Sequence, residues 1–398
     1  MKRRIVSALC AACLLLLFFS CEKKEMSDNY TKSLPSEADI PLKEQTENTY
    51  LKFEKLPEII LDEFPFDFHF NATTTDYIGE PIFSGTELYF YFHHVVSQPD
   101  SQSTASMIAK YDAETGKLLP WSEIIHTGNV IWDENCYAYT DVDRNLYIHE
   151  FATNHGVTVA IGEGAILERI AKDKIVYSLA EDSVKQYHFY DLIEKTEMVA
   201  DVDRDAVLLA FDADQAYFAY PELDKGITVL DIQTGATDNY PISLPTDHVA
   251  GAKLHPNRRA TVLMDDKLYA TLSADRYEDV KHFRQLVCLS KNGDWFECRL
   301  LENESMLSIE DRTHFHVYSY KNHCLFEVAH PKEDGSREFC ICELNAVMNS
   351  VQNVKGVDYT NQSHFYVYNN VLCVYSKKWI DNQYVIYLQP YEMSVGWF

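Results

Sequence analysis

Carboxylates at alternate positions are the first arrangement in this chain with the makings of chemistry. Asp141-Val-Asp143-Arg-Asn145 and Asp201-Val-Asp203-Arg-Asp205 each begin in the manner of a calcium loop, which places oxygen ligands at every second residue. Neither has the glycine such a loop needs at its sixth position, where Leu146 and Ala206 stand, so both read as acidic turns. His314 and His316 share one face of a strand, but no third ligand follows at metal-binding spacing. His149-Glu150 with His155 misses the zinc-protease spacing, because four residues separate Glu150 from His155 where two are needed. A nucleophile elbow and a phosphate-binding loop are both absent, and Gly162-Glu-Gly164 lacks the last glycine of a dinucleotide fingerprint. The sequence therefore assigns no catalytic residue, no metal and no cofactor.

The cysteines are the second reactive set. Of ten, Cys10 and Cys13 fall in an apolar leader and Cys21 ends it, which leaves Cys136, Cys288, Cys298, Cys324, Cys340, Cys342 and Cys373. An odd number cannot all pair internally. Cys288 and Cys298 flank Asn292-Gly293 and become cross-strand neighbours if that loop has three residues, and Cys324 lies similarly near Cys340 or Cys342. Small buried thiols at strand positions are the favoured reading, since a free cysteine packs as a small hydrophobe.

The leader itself is an address. Lys2, Arg3 and Arg4 precede an apolar run from Ile5 to Phe19, which is short for a membrane span. Its end, Phe18-Phe19-Ser20-Cys21, resembles the bacterial lipoprotein signal, and that resemblance implies cleavage after residue 20 and acylation of Cys21 as a lipid anchor. Residues 21–50 are polar, charged and poor in aliphatics, the composition of a flexible tether. About 29 such residues have a reach of roughly 30 Å. Loss of the three leader cations leaves 32 basic against 61 acidic residues, a formal charge of −29. Such a balance repels nucleic acid and anionic lipid surfaces. Membrane contact is expected through the lipid anchor alone, at the outer membrane, facing the periplasm or the cell surface.

From residue 51 to 398 the chain repeats. Anchors at Tyr111, Phe151, Tyr190 and Leu230 are 40, 39 and 40 residues apart, and looser copies follow at Leu289, Cys342 and Leu388 after 59, 53 and 46 residues. Each unit alternates with period two and is closed by turn residues, as in Cys136–Thr140, Asn145–Phe151 and Val157–Ile161. Repeats of this length made of strands predict an all-β fold with a single β-propeller, seven blades favoured and six as the alternative. Leu51 to Leu61 is expected to supply the strand that pairs with the last blade and closes the ring. The turns Asp112 to Gly116 and Asp231 to Gly235 have a local cause, because Asp and Thr side chains bond nearby amides and Gly accepts a positive φ.

The lipoprotein start, the acidic Tyr-rich repeats and His255-Pro-Asn-Arg-Arg259 ahead of Ala-Thr-Val-Leu together resemble the β-propeller lipoproteins of unknown function from Bacteroidetes, relatives of TolB-like repeats. Asn257 and Arg258 replace the Asp and Gly of the usual TolB-like turn. The resemblance implies a fold and a compartment and supplies no activity.

The connections between second and third strands are short in blades two to four, at Asp141–Arg144, Glu181–Val184 and Pro221–Lys225. They lengthen to His93–Ser106 in blade one, Ser273–Gln285 in blade five, His330–Arg337 in blade six and Lys377–Asn382 in blade seven. Blades 5, 6, 7 and 1 are consecutive once the ring closes. Function tends to reside on such elaborations, so they are expected to form a binding rim carrying His93, His94, Arg276, Tyr277, His282, Arg284, His330, Lys332, Lys378 and Trp379. Basic and aromatic side chains in an acidic protein suit an envelope protein or a glycan as partner. A non-catalytic binding or scaffolding module is the expected function. The alternative is a hydrolase or lyase, acting on sugars or phosphate esters, calcium-dependent in one version, with its site in the central channel. Asp182-Ser183-Val184 resembles the O-glycosylation signal of the same bacteria and marks Ser183 for modification.

Overall fold

The computed structural model describes residues 49–397 except 64–73, 86, 99–100, 126–129, 142–144, 154, 163, 172, 182–183, 221–224, 244–252, 255–260, 277–280, 301–316, 332–336, 347–349, 361 and 381–382. Among the described residues every regular element is a strand, and the strands fall into seven sheets. Strands β1 (Thr49–Lys55) and β2 (Ile59–Leu61) come first. Blade 1 follows with β3 (Thr74–Ser84), β4 (Glu87–Gln98), β5 (Ser101–Asp112) and β6 (Lys117–Pro120). Blade 2 has β7 (Val130–Trp132), β8 (Cys136–Thr140), β9 (Asn145–Glu150) and β10 (Gly156–Ala160). In blade 3 these become β11 (Ile166–Ala171), β12 (Lys174–Glu181), β13 (Val184–Asp191) and β14 (Glu197–Asp203). Blade 4 contains β15 (Val207–Phe211), β16 (Gln215–Ala219), β17 (Ile227–Asp231) and β18 (Thr237–Tyr240).

Blade 5 is larger, with β19 (Ile242–Ser243), β20 (Lys253–Leu254), β21 (Thr261–Met264), β22 (Lys267–Arg276), β23 (Lys281–Asn292) and β24 (Trp295–Leu300). Its outer edge is covered by β19, which pairs parallel to β24. Blade 6 consists of β25 (Val317–Tyr320), β26 (His323–Pro331), β27 (Arg337–Asn345) and β28 (Ser350–Asn353). Blade 7 is made of β29 (Ser363–Tyr368), β30 (Val371–Ile380) and β31 (Gln383–Trp397), with β1 as its outermost strand. Around the axis β7 neighbours β11, β15 neighbours β21, β25 lies between β21 and β29, and β29 reaches β3. The architecture is a seven-bladed β-propeller, and the six-bladed alternative is set aside.

Ring closure follows the expectation for Leu51 to Leu61. Strand β1 pairs antiparallel with β31 from Thr49↔Trp397 to Lys55↔Tyr391, and β2 continues along the same strand at Ile59↔Leu388. Each strand alternates, and its two faces feed two different interfaces, so seven apolar clusters fill the seven spaces between neighbouring blades. All seven repeat anchors lie on a third strand or, for Phe151, immediately after one. Six of them pack toward the preceding blade, while Leu388 packs toward blade 1. A one-residue offset in a period-two strand reverses the face, so the last repeat is out of phase by one.

Turn chemistry repeats with the blades. Asp112 Oδ1 accepts the Glu114 amide at 3.0 Å, Asp231 Oδ1 accepts those of Gln233 and Thr234 at 3.0 and 2.8 Å, and Gly116 and Gly235 adopt φ of 70° and 73°. Blade 3 builds the same turn on Asp191 with Lys195 at φ 54° in the glycine's place. A second recurring bond ties the end of the third strand to the turn between the first two: Phe151 N to Asn135 O, Leu192 N to Asp173 O, Ile232 N to Asp214 O, Ala346 N to Asn322 O and Met393 N to Asn370 O, at 2.6 to 2.9 Å.

Candidate functional site

The connections that lengthen in blades 5, 6, 7 and 1 are built as paired hairpins, where the sequence reading had loops. Once the chain leaves the blade core, its backbone amides and carbonyls need partners, and the two arms satisfy each other. In blade 1 the ladder runs to Gln98↔Ser101, so His93 and Ser106, expected as the two ends of a loop, are opposed residues within it. In blade 5 it runs to Arg276↔Lys281, in blade 6 to Pro331↔Arg337 and in blade 7 to Ile380↔Gln383. The second strands of these blades are 12, 10, 9 and 10 residues long, against 5, 8 and 5 in blades 2, 3 and 4. Four tall hairpins thus stand side by side on one face of the ring. Strand β31 spans 15 residues, roughly 45 Å of extended chain, and the N-terminal strand begins opposite Trp397, at the end remote from the blade 7 hairpin tip.

The predicted rim residues fall on these hairpins. His94 is opposite Ala105, Arg276 opposite Lys281, His282 opposite Asp275 and Arg284 opposite Ser273. His330 is opposite Glu338 and Trp379 opposite Tyr384. Tyr277 and Lys332 lie outside the described residues, as do Cys21 and Ser183. Lys378 is exposed and places its ammonium 4.5 Å from the centre of the Tyr387 ring, a cation–π contact along the blade 7 hairpin.

His93 is more enclosed than a rim position. Its Nδ1 lies 2.9 Å from Ser106 Oγ, and that oxygen lies 3.0 Å from the Tyr91 hydroxyl. Ser106 is buried, and its backbone exchanges hydrogen bonds with Ile125 at 2.7 and 2.8 Å. The three side chains form a polar thread through the base of the blade 1 hairpin. Next to it, blade 2 presents a stack of aromatic rings toward blade 1: Tyr137 over His149 at 5.0 Å and 8°, and Tyr139 over Tyr147 at 5.1 Å and 11°. Blade 3 repeats the first pair with Tyr177 over His188 at 4.5 Å and 12°. Burial holds the His149 imidazole below the ordinary histidine pKa.

Of the carboxylates with calcium-loop spacing, Asp143 lies outside the described residues, Asp205 lies 3.8 Å from Lys225 of blade 4, and the other three accept local hydrogen bonds. Asp141 accepts the Asn145 amide at 2.9 Å, Asp203 accepts that of Asp205 at 2.9 Å, and Asp201 accepts the Gln186 side chain at 3.1 Å. His314 and His316 lie outside the described residues. The cysteine register differs from the conditional expectation. The β23–β24 turn holds two residues, so Cys298 opposes Leu289 and Cys288 opposes Arg299. Cys288 packs toward blade 6 and Cys298 toward blade 4, on opposite faces of the sheet where no disulfide can join them. None of the seven cysteines is in a disulfide, and six are buried.

Sequence reasoning missed one buried polar cluster. Glu343, on β27, accepts the backbone amide of Leu51 at 3.1 and 3.3 Å and the Gln352 amide at 3.2 Å. Its Oε1 also lies 2.6 Å from His323 Nδ1, with both side chains 2% exposed, as an ion-pair contact without the alignment of a hydrogen bond. The signal for it was a carboxylate in the apolar run Phe339 to Leu344.

No family model matches the chain, and no curated protein matches its sequence. Solved structures similar to it include the N-terminal domain of Nup159, at 11% identity and TM-score 0.44 over 87% of this chain and 96% of that one. BamB from Moraxella catarrhalis has 13% identity and TM-score 0.36 over 74% and 95%. The β-propeller domain of the Trilobed protease from Pyrococcus furiosus has 10% identity and TM-score 0.39 over 76% and 78%. The fold itself rests on the seven sheets and their closure: the chain is a seven-bladed β-propeller.

Proposed function

We propose that this protein is an envelope lipoprotein, held at the outer membrane by an acyl chain on Cys21, whose propeller is a non-catalytic binding or scaffolding module. The observation that carries the binding surface is the run of second strands of 9 to 12 residues on four consecutive blades, beside strands of 5, 8 and 5 residues on the other three. A palisade of paired strands is stiffer than the loops it replaces, and a rigid surface loses less conformational entropy on binding. The partner in this reading is another envelope protein or a glycan, met by Arg276, Tyr277, His282, Arg284, His330, Lys332, Lys378, Trp379 and His94. Because the N-terminal strand starts at the opposite end of β31 from the hairpin tips, a tether from Cys21 leaves these residues free to face away from the anchoring membrane.

Two measurements test the two halves separately. Metabolic labelling with an alkynyl palmitate should mark the wild-type chain and not Cys21→Ser. A photo-crosslinking residue placed at Lys378 or His330 should capture a discrete partner in intact cells, while the same residue at Thr158 on the low side should not. Equal capture from both sides, or from neither, removes the hairpins from the reading.

A further inference from the structure

The sharpest unassigned chemistry lies on the outer part of blade 6. Cys340 and Cys342 are alternate residues of β27, so their side chains leave the strand on the same face. Their sulfurs are 4.0 Å apart. Asn353 stands directly opposite Cys342 on β28, and both thiols donate to its Oδ1, from Cys342 at 3.2 Å and from Cys340 at 3.7 Å. The β27–β28 ladder ends at this pair, leaving Cys340 past the end of β28. Cys340 is accordingly half-buried while Cys342 is enclosed, so the pair has one wet end and one dry end.

We propose that Cys340 and Cys342 form a two-thiolate site for a soft cation of low coordination number, of which Cu(I) is the type. A sulfur separation of 4.0 Å with metal–sulfur bonds of about 2.3 Å gives a sulfur–metal–sulfur angle of about 120°. That is the angle of a trigonal centre, and the Asn353 amide oxygen already points at both sulfurs to fill or guard the third direction. Thiolates select soft metals, and two of them with one amide oxygen fall short of the four ligands that zinc takes in structural sites. Occupation releases the thiol protons to solvent, one per sulfur bound as thiolate.

No other two described cysteines are alternate residues of one strand, although Cys288 and Cys324 share the blade 5–6 cluster with Cys342. Cys288 and Cys298 occupy opposite sheet faces, and Cys136 and Cys373 belong to separate interfaces. Cys324 packs in the same cluster as Cys342 and is fully enclosed, which leaves Cys340 as the point of entry.

The test is a titration of the reduced full-length chain in detergent with Cu(I), under argon, against a chromophoric Cu(I) chelator. One equivalent retained per chain is the expected result, at least tenfold more weakly held in Cys340→Ser, and with wild-type iodoacetamide labelling of Cys340 blocked by the metal. Cys340 is the position to vary because its partial exposure lets serine replace it without opening the core, and an unchanged melting temperature checks this. Unaltered affinity in Cys340→Ser, no retention by the wild type, or a Cys340–Cys342 disulfide formed in place of the complex would each overturn the site. Asn353→Ala separates the roles of the amide: retained stoichiometry with weaker binding supports a ligand or guard at the third direction, and loss of both thiols' reactivity without metal argues against the site.

Discussion

His149 shows how far one side chain's behaviour depends on its setting. It lies flat against Tyr137 and covers Gly156 on the edge strand, where an added Cβ would come within 2.7 Å of the ring. Burial lowers its pKa, the nearby Glu123 opposes that shift, and His155 adds to it. Because the folded-state pKa lies below the unfolded value of about 6.5, the unfolded chain takes up the proton first. The contribution is whole above pH 6.5 and is lost as pH falls below it. His149→Phe keeps a ring in the stack and removes the proton site, so its melting temperature should fall less between pH 7.5 and 5.5 than that of the wild type. Gly226 makes a different demand. Its φ is 86° and a Cβ would strike the Tyr240 carbonyl, so Gly226→Ala should destabilise by about 2 kcal/mol or more, read from urea denaturation.

Among elements, β1 carries the largest consequence for its length. Seven residues complete blade 7, and one of their amides is held by the buried Glu343 of blade 6. Glu343→Ala would leave the buried Leu51 amide without its acceptor and open a gap beside the His323 ring, at a cost of about 1 to 3 kcal/mol. Glu343→Gln keeps an acceptor for Leu51 and should lose clearly less. Hydrogen exchange at Leu51 would show whether the loss is local, since opening of the closing strand raises that rate before any other in blade 7. The hairpins are elements of another kind, because their outer halves lie beyond the blade cores. Shortening blade 7 by joining Lys377 to Ile386 through a two-residue turn should leave the melting temperature within a few degrees and abolish partner capture. A large drop in melting temperature would assign that hairpin to scaffold.

At the scale of the whole molecule, stability is distributed among seven similar interfaces around a closed ring. A sheet edge left open offers unpaired amides and carbonyls to other chains, and β31 would present such an edge over its whole lower half if β1 and β2 were missing. Removing residues 49–61 should therefore yield a chain that self-associates, measured by sedimentation velocity, whereas removing 22–48 should give a monomer that melts like the full domain. The formal charge of −26 at pH 7 disfavours association with polyanions. Polyanions such as DNA should show no retention at physiological salt.

The sequence by itself determined the strand period, the Asp-centred turns, the repeat and the identity of the closing segment. All of these act between residues a few positions apart, or, for Leu51 to Leu61, through an apolar pattern that needs a sheet to join. It also located the four elaborated blades, because insertion length is a property of the chain alone. Only the tertiary structure decided that those insertions are ladders, since a loop and a hairpin differ by which amide meets which carbonyl. A two-residue turn in place of three put Cys288 and Cys298 on opposite faces. The pairing of Glu343 with Leu51 spans 292 residues of sequence. Contacts at such separation exist only once the ring has closed, and no local preference of either residue announces them.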